Sequence, residues 1–132
     1  MKKSKKEILI RADINRNRLY TTLKGTLTKE DIATLPNDLR KEAKKLKPGY
    51  TAISNVKEYN PSGEGINEIL NKTMKAAVET GVGKVIRVVS GEEGMVLENI
   101  SKSEHGYSAI ICKSISEAER EAKKIENPRE NL

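Results

Sequence analysis

Residues 7–14 alternate between apolar and polar, with Ile8, Ile10, Ala12 and Ile14 on one face. That period of two predicts a strand. Asn15-Arg16-Asn17 reads as a turn, and Arg18 to Leu27 as a second strand, with Leu19, Thr21 and Leu23 on one side. A hairpin is the economical arrangement, and Gly25 marks a bulge or the strand's end. The period then lengthens. Ile32, Leu35, Leu39, Ala43 and Leu46 recur every three or four residues after Thr28-Lys29-Glu30-Asp31, a helix start in which Thr28 caps and Asp31 answers three residues on. Pro36 falls in the first turns and predicts either a kink or a late start, and Pro48-Gly49 stops the helix.

Tyr50 to Val56 is a short strand of mixed character. A glycine-rich loop, Asn60-Pro61-Ser62-Gly63-Glu64-Gly65, opens a second helix whose apolar face is Ile66, Ile69, Leu70, Thr73, Met74, Ala77 and Val78. Gly81 is the expected C-cap. Val85 to Val89 is β-branched and nearly all apolar apart from Arg87, the pattern of a central parallel strand covered on both faces. Ser90-Gly91-Glu92-Glu93-Gly94 reads as a loop. Met95 to Glu104 follows as a short helix packed by Val96, Leu97 and Ile100 and ended by His105-Gly106. Ser108 to Cys112 is a further strand. Ser114 or Ser116 caps a last helix with Ile115, Ala118, Ala122 and Ile125 inward, and Asn127-Pro128 ends it. The order β-β-α-β-α-β-α-β-α implies parallel pairing through right-handed crossovers. The expected fold is therefore α/β: a mixed, mostly parallel sheet with an N-terminal hairpin and about four helices. One domain over 7–126 is expected, between a basic tail at 1–6 and a short tail at 127–132.

Composition narrows the function classes. With four Tyr and neither Trp nor Phe, the core is built from aliphatic residues, and the stacking platform of a single-strand nucleic-acid binder is missing. The net charge of +6 is unevenly spread. Residues 1–49 carry 14 basic and 6 acidic side chains, whereas 50–132 carry 11 and 13. The excess sits in Lys2, Lys3, Lys5 and Lys6, in the hairpin, and in Lys41, Lys44, Lys45 and Lys47. A solvated lysine-rich surface explains it better than nucleic-acid binding. One cysteine, Cys112, permits no internal disulfide and makes the cytoplasm the default compartment. No apolar run approaches the roughly 18 residues of a membrane span.

No catalytic constellation emerges. Glu92 and Glu93 are adjacent and so diverge, His105 is a helix-end residue, and Cys112 lies in an apolar strand as a small hydrophobe. One Cys and one His make no zinc site. Arg87, a charge in a buried strand, is expected to pair with a carboxylate. The Asn60–Gly65 loop lacks the Gly-Lys-Ser/Thr of a Walker phosphate loop. Its plain reading is a turn that Ser62 helps cap; its functional reading is a docking or binding loop. The loop after Val89 should lie at the same edge of the sheet.

This order resembles the STAS superfamily, typified by anti-sigma-factor antagonists, and its small SpoIIAA-like branch most of all. The features that carry it are the hairpin, the Thr28–Leu46 helix, the strand-loop-helix from Ile53 to Met74, the Gly83–Val89 strand, and the join Ala109-Ile110-Ile111-Cys112-Lys113-Ser114-Ile115-Ser116-Glu117-Ala118. They span residues 7–126. The resemblance implies a non-enzymatic regulatory domain that docks a protein partner through the loop and helix start at 60–70. The site would then comprise Asn60, Ser62, Gly63, Gly65 and an exposed Ile66, with no cofactor and no metal. In phosphorylated members this loop carries aspartate, the acceptor serine or threonine, a small residue and glycine. Asn60, Pro61, Ser62 and Gly63 occupy those places here, so proline replaces the acceptor and the family switch does not carry over. Ser62 is the modifiable residue that remains. The alternatives are a carrier of a small apolar molecule or lipid held between sheet and helix, and nucleic-acid binding through the basic N-terminal half.

Overall fold

A computed structural model describes residues 5–127, with the side chains of 92–95 excepted. Lys2 and Lys3 of the basic tail, Pro128, the rest of the C-terminal tail, and the side chains of Glu92 and Glu93 lie outside the described residues. The strands are β1 (Glu7–Asp13), β2 (Arg18–Leu27), β3 (Thr51–Asn55), β4 (Tyr59–Pro61), β5 (Lys84–Val88) and β6 (Ile110–Cys112). The helices are α1 (Leu35–Ala43), α2 (Ile66–Glu79), α3 (Glu92–His105) and α4 (Ile115–Glu126). The sheet runs β1-β2-β3-β5-β6, and β4 pairs with the far half of β2. Among the described residues only β1–β2 is antiparallel, and every other pairing is parallel.

Alternation along the central strands divides the core. Ala52 and Val85 face Leu39 and Ala43 of α1 and Ala76 and Ala77 of α2. Their neighbours Ile53, Ile86 and Val88 face the other way, against Ala118 and Ala122 of α4. Leu97 of α3 joins Leu70 and Met74 of α2 over Leu23 and Leu27. Three helices thus cover one face and α4 covers the other.

Several boundaries depart from the sequence reading. The expected helix start at Thr28 is a turn: Asp31 accepts from the Thr28 amide at 2.8 Å and the Asp31 amide donates to Thr28 Oγ1 at 3.3 Å, yet α1 begins only at Leu35. Pro36 decides this. It lacks an N–H, so the chain places it in the first turn, where no intrahelical donor is needed. Asn60-Pro61, read as a turn, belongs to β4, which continues β3 after a break at 56–58. The ladder to β2 uses Glu58 O, which accepts from the Gly25 amide, and the Ser62 amide, which donates to Leu27 O, both at 2.9 Å. Pro61 lies between those bonded positions, so its missing donor costs nothing. Gly25 (φ 91°) is where β2 passes from β3 to β4 as neighbour, and a Cβ there would meet Lys6 Cα at 3.2 Å. Helix α3 starts at Glu92, so Glu92-Glu93-Gly94 is helical, not loop. Val78, Val96 and Ile115, expected to pack inward, are exposed. Ala76 is buried in place of Val78, and on α4 the inward stripe is Ala118 and Ala122, with Ile125 half-buried.

Candidate functional site

The glycine loop lies at the end of the sheet to which β3, β4 and β5 point. Ser90 Oγ, just after β5, donates to Lys57 O at 2.7 Å and ties the two loops together, as the parallel pairing predicts. Asn60, Gly63, Glu64 and Gly65 are exposed and Ser62 is half-exposed. Gly63 (φ 86°) and Gly65 (φ 84°) are both left-handed. At Gly65 a Cβ would also meet Lys29 Cδ at 2.9 Å, the outer part of an exposed, flexible side chain that can swing aside.

Gly65 is the N-cap of α2, and among the described residues no side chain caps the first amides of that helix. The expectation that Ser62 helps cap is therefore not met. Ser62 instead extends the β4 ladder through its backbone. Ile66 is also corrected. It was expected to be exposed, but it is 3% accessible. The left-handed turn at Gly65 carries it inward, onto the cluster that holds Leu70, Met74 and Leu97.

What the loop borders is an open groove of about 550 Å³ between the start of α2 and the start of α3. Gly63, Gly65 and Asn67 form one wall, Val96 and Leu97 the other, and Tyr59 and Pro61 the base. Val96, 46% accessible, presents an apolar side chain to it. Tyr59 is buried, and its hydroxyl has no hydrogen-bond partner among the described residues. Burial pushes its pKa up to about 12. Tyr59 and Val96 are the groove residues that sequence reasoning missed. Val96 had a signal: buried Leu97, Glu98 and Ser101 fix the inner face of α3, and residue 96 falls off it. The signal at Tyr59 was an aromatic residue beside a glycine loop in a chain with few aromatics.

A second space lies inside the fold, between the sheet and helices α1–α3. This cavity of about 70 Å³ is lined mostly by aliphatic side chains, with Thr21, Ser54 and Arg87 in one row across β2, β3 and β5. Arg87 pairs with Glu98, Nη1 to Oε1 at 3.2 Å, both side chains buried. Glu98 Oε1 also accepts from Ser101 Oγ at 3.1 Å and from the Ala109 amide at 3.0 Å. The expected carboxylate partner of Arg87 is thus Glu98.

The remaining reactive types stand apart. His105 Nε2 meets Asn71 Oδ1 at 2.6 Å at the end of α3, with Gly106 as its left-handed C-cap. Cys112 lies in the cluster beneath α4, and burial raises its thiol pKa. Among the described residues no three His, Cys, Asp or Glu side chains gather to hold a metal, and no helix is long and apolar enough to cross a membrane.

This topology defines a SpoIIAA-like α/β domain. An uncharacterized protein of the DUF3478 family with a SpoIIAA-like fold, from Shewanella loihica PV-4, matches it with a TM-score of 0.61 at 15% identity, over 92% of this chain and 97% of that one. The anti-sigma factor antagonist SpoIIAA in its unphosphorylated form matches with a TM-score of 0.57 at 12% identity, over 87% of this chain and 96% of that one. At these identities the likeness is one of fold. No protein-family pattern matches the sequence, and no curated protein matches it significantly.

Proposed function

We propose that this chain is a non-enzymatic, STAS-like regulatory domain of the cytoplasm that binds a protein partner at the groove beside the glycine loop. One observation carries the reading: exposed Val96 faces the Gly63–Gly65 backbone across an open groove rimmed by Asn67, Glu64 and Glu68. An apolar centre with a polar rim is the anatomy of a docking site. The role expected of Ile66 passes to Val96. Asn60, Ser62, Gly63 and Gly65 remain as rim and backbone contacts, and Ser62, half-exposed, is where a modification would alter the rim's charge.

Val96→Glu places charge on one wall of the groove and Ser62→Glu places it next to Gly63 of the other, without touching the core. Wild-type and variant baits are run in native lysate beside Lys113→Glu, a control outside the groove. The captured protein is then identified and titrated against purified bait. Binding lost in both groove variants and kept in the control supports the reading. Equal binding in all three rejects it.

The internal cavity favours a second reading, a carrier of a small apolar molecule. Native mass spectrometry of protein purified without denaturant supports it if a bound small molecule accompanies the chain and leaves when Ala77→Phe fills the cavity wall. An unliganded mass for the wild type counts against it.

A further inference from the structure

Among the described residues the β1 edge of the sheet is open and amphipathic. The opposite edge, β6, is only three residues long. Along β1, Ile8 is 38% and Leu9 45% accessible, and an open groove of about 270 Å³ flanks Ile8–Ile10 beside α1. The direction of the backbone groups follows from two hydrogen bonds. The Thr51 amide donates to Asn17 O, so odd-numbered residues of β2 point their backbone groups at β3 and even-numbered ones at β1. In the β1–β2 register, Glu7, Leu9, Arg11 and Asp13 stand opposite even-numbered β2 residues and bond inward. Ile8, Ile10 and Ala12 therefore bond outward. The Ala12 amide confirms this, since it donates to Glu42 Oε1 at 3.1 Å. Glu42 closes that one position. The outward groups of Ile8 and Ile10 meet no partner among the described residues.

We propose that β1 pairs antiparallel with β1 of a second copy of this chain, about a two-fold axis through Leu9. Outward groups must face outward groups, so only registers centred on a residue are allowed. Centring on Ile10 sets Glu7 against Asp13, and centring on Ile8 sets Lys5 against Arg11; both oppose like charges. Centring on Leu9 sets Glu7 against Arg11, Lys5 against Asp13, Ile8 against Ile10, and Leu9 against itself. Every charged cross-strand pair within the strand is then of opposite sign, and each Ile8–Ile10 pair exchanges both backbone hydrogen bonds. A long edge bearing exposed Ile and Leu is a pairing surface unless blocked. Here its charges select one register instead of repelling all of them. This face lies on the hairpin, so the groove beside the glycine loop stays free, and the two proposals stand or fall separately.

Sedimentation velocity of the full chain over a range of micromolar concentrations is the test. Wild type is expected to dimerise. Glu7→Arg sets Arg against Arg11 and Arg11→Glu sets Glu against Glu7, and each alone weakens the dimer about tenfold or more, since opposed like charges replace two attractive cross-strand pairs. Mixing the two single variants, or combining them in one chain, restores dimerisation because opposite signs face each other again. Circular dichroism confirms that each single variant is folded, and the mixture reports on register independently of stability. A wild type that stays monomeric throughout overturns the proposal. So does a dimer indifferent to Glu7→Arg, or single variants that fail to associate with each other.

Discussion

At the residue scale the heaviest demand falls on Arg87 and Glu98. Both are buried, and one carboxylate oxygen serves Arg87, Ser101 and the Ala109 amide together. Truncating one partner leaves the other charged in a dry interior. Glu98→Ala is therefore expected to lower unfolding free energy by about 3–5 kcal/mol, read from the shift of a urea transition. Glu98→Gln keeps an acceptor and should cost less. The double change Arg87→Met, Glu98→Leu removes both charges and should recover most of the loss; if it is as unstable as Glu98→Ala, the pair is not what holds this region. Gly63 and Gly65 are both left-handed, so Gly63→Ala and Gly65→Ala should each cost about 1 kcal/mol, the exposed Lys29 side chain moving aside at Gly65. A melting temperature for Gly65→Ala well below that of Gly63→Ala would show that Lys29 is held in place.

At the element scale, α4 is held differently from the other helices. Its inward face offers Ala118, Ala122 and half-buried Ile125, a thin apolar contact. A buried Arg18 on β2 compensates, donating through Nε and Nη2 to Glu126 and through Nη1 to Glu119 at 2.6 Å and to Tyr20 Oη at 3.0 Å. The bonds to Glu126 hold the guanidinium pKa above its ordinary value despite burial. Arg18→Ala should speed amide exchange across residues 115–126 more than across α1 or α2, because the far end of α4 loses its anchor. Uniform acceleration would mean that α4 unfolds only with the whole domain. None of this clamp was legible in the sequence, since Arg18 and Glu126 are 108 positions apart and each has an ordinary surface pattern locally. Elements with strong periodicity were legible: the hairpin, α2 and β5 emerge from spacing alone. So did the location of the candidate site, because a loop after a parallel strand must lie at that strand's end. Whether an apolar residue beside the loop is buried was not legible. Ile66 and Val96 exchange the expected roles through the turn at Gly65 and the rotation of α3, which are tertiary facts. β4 was hidden for a similar reason, since its three residues are made a strand only by β2 beside them.

At the scale of the whole molecule, two carboxylates connect the α1 region to the N-terminal hairpin, and both titrate with folding. Asp31 accepts from the Thr28 amide and pairs with Lys6 at 3.0 Å; these interactions hold its pKa below the ordinary 3.8. Glu42 bonds Lys45 and the Ala12 amide, which together hold it below the ordinary 4.5. A carboxyl whose folded pKa is depressed binds protons more readily when unfolded. Its contribution is complete above the unfolded value and disappears as pH falls through the folded one. The melting temperature should therefore be flat from pH 7 to about pH 5 and decline from there toward about pH 3. Both contacts end on the β1 segment, at Lys6 and at Ala12, so their loss should loosen the hairpin edge. Asp31→Asn with Glu42→Gln should lower stability at pH 7 and flatten the acid decline. An unchanged decline in the double variant would place the acid sensitivity in other carboxylates. Among the described residues Glu42 also seals the one outward amide of β1 that has a partner, so removing its side chain frees Ala12 to pair. Dimerisation of Glu42→Ala measured at pH 7 should then be no weaker than that of wild type. If it were weaker, Glu42 would be a support of the edge and not its stop.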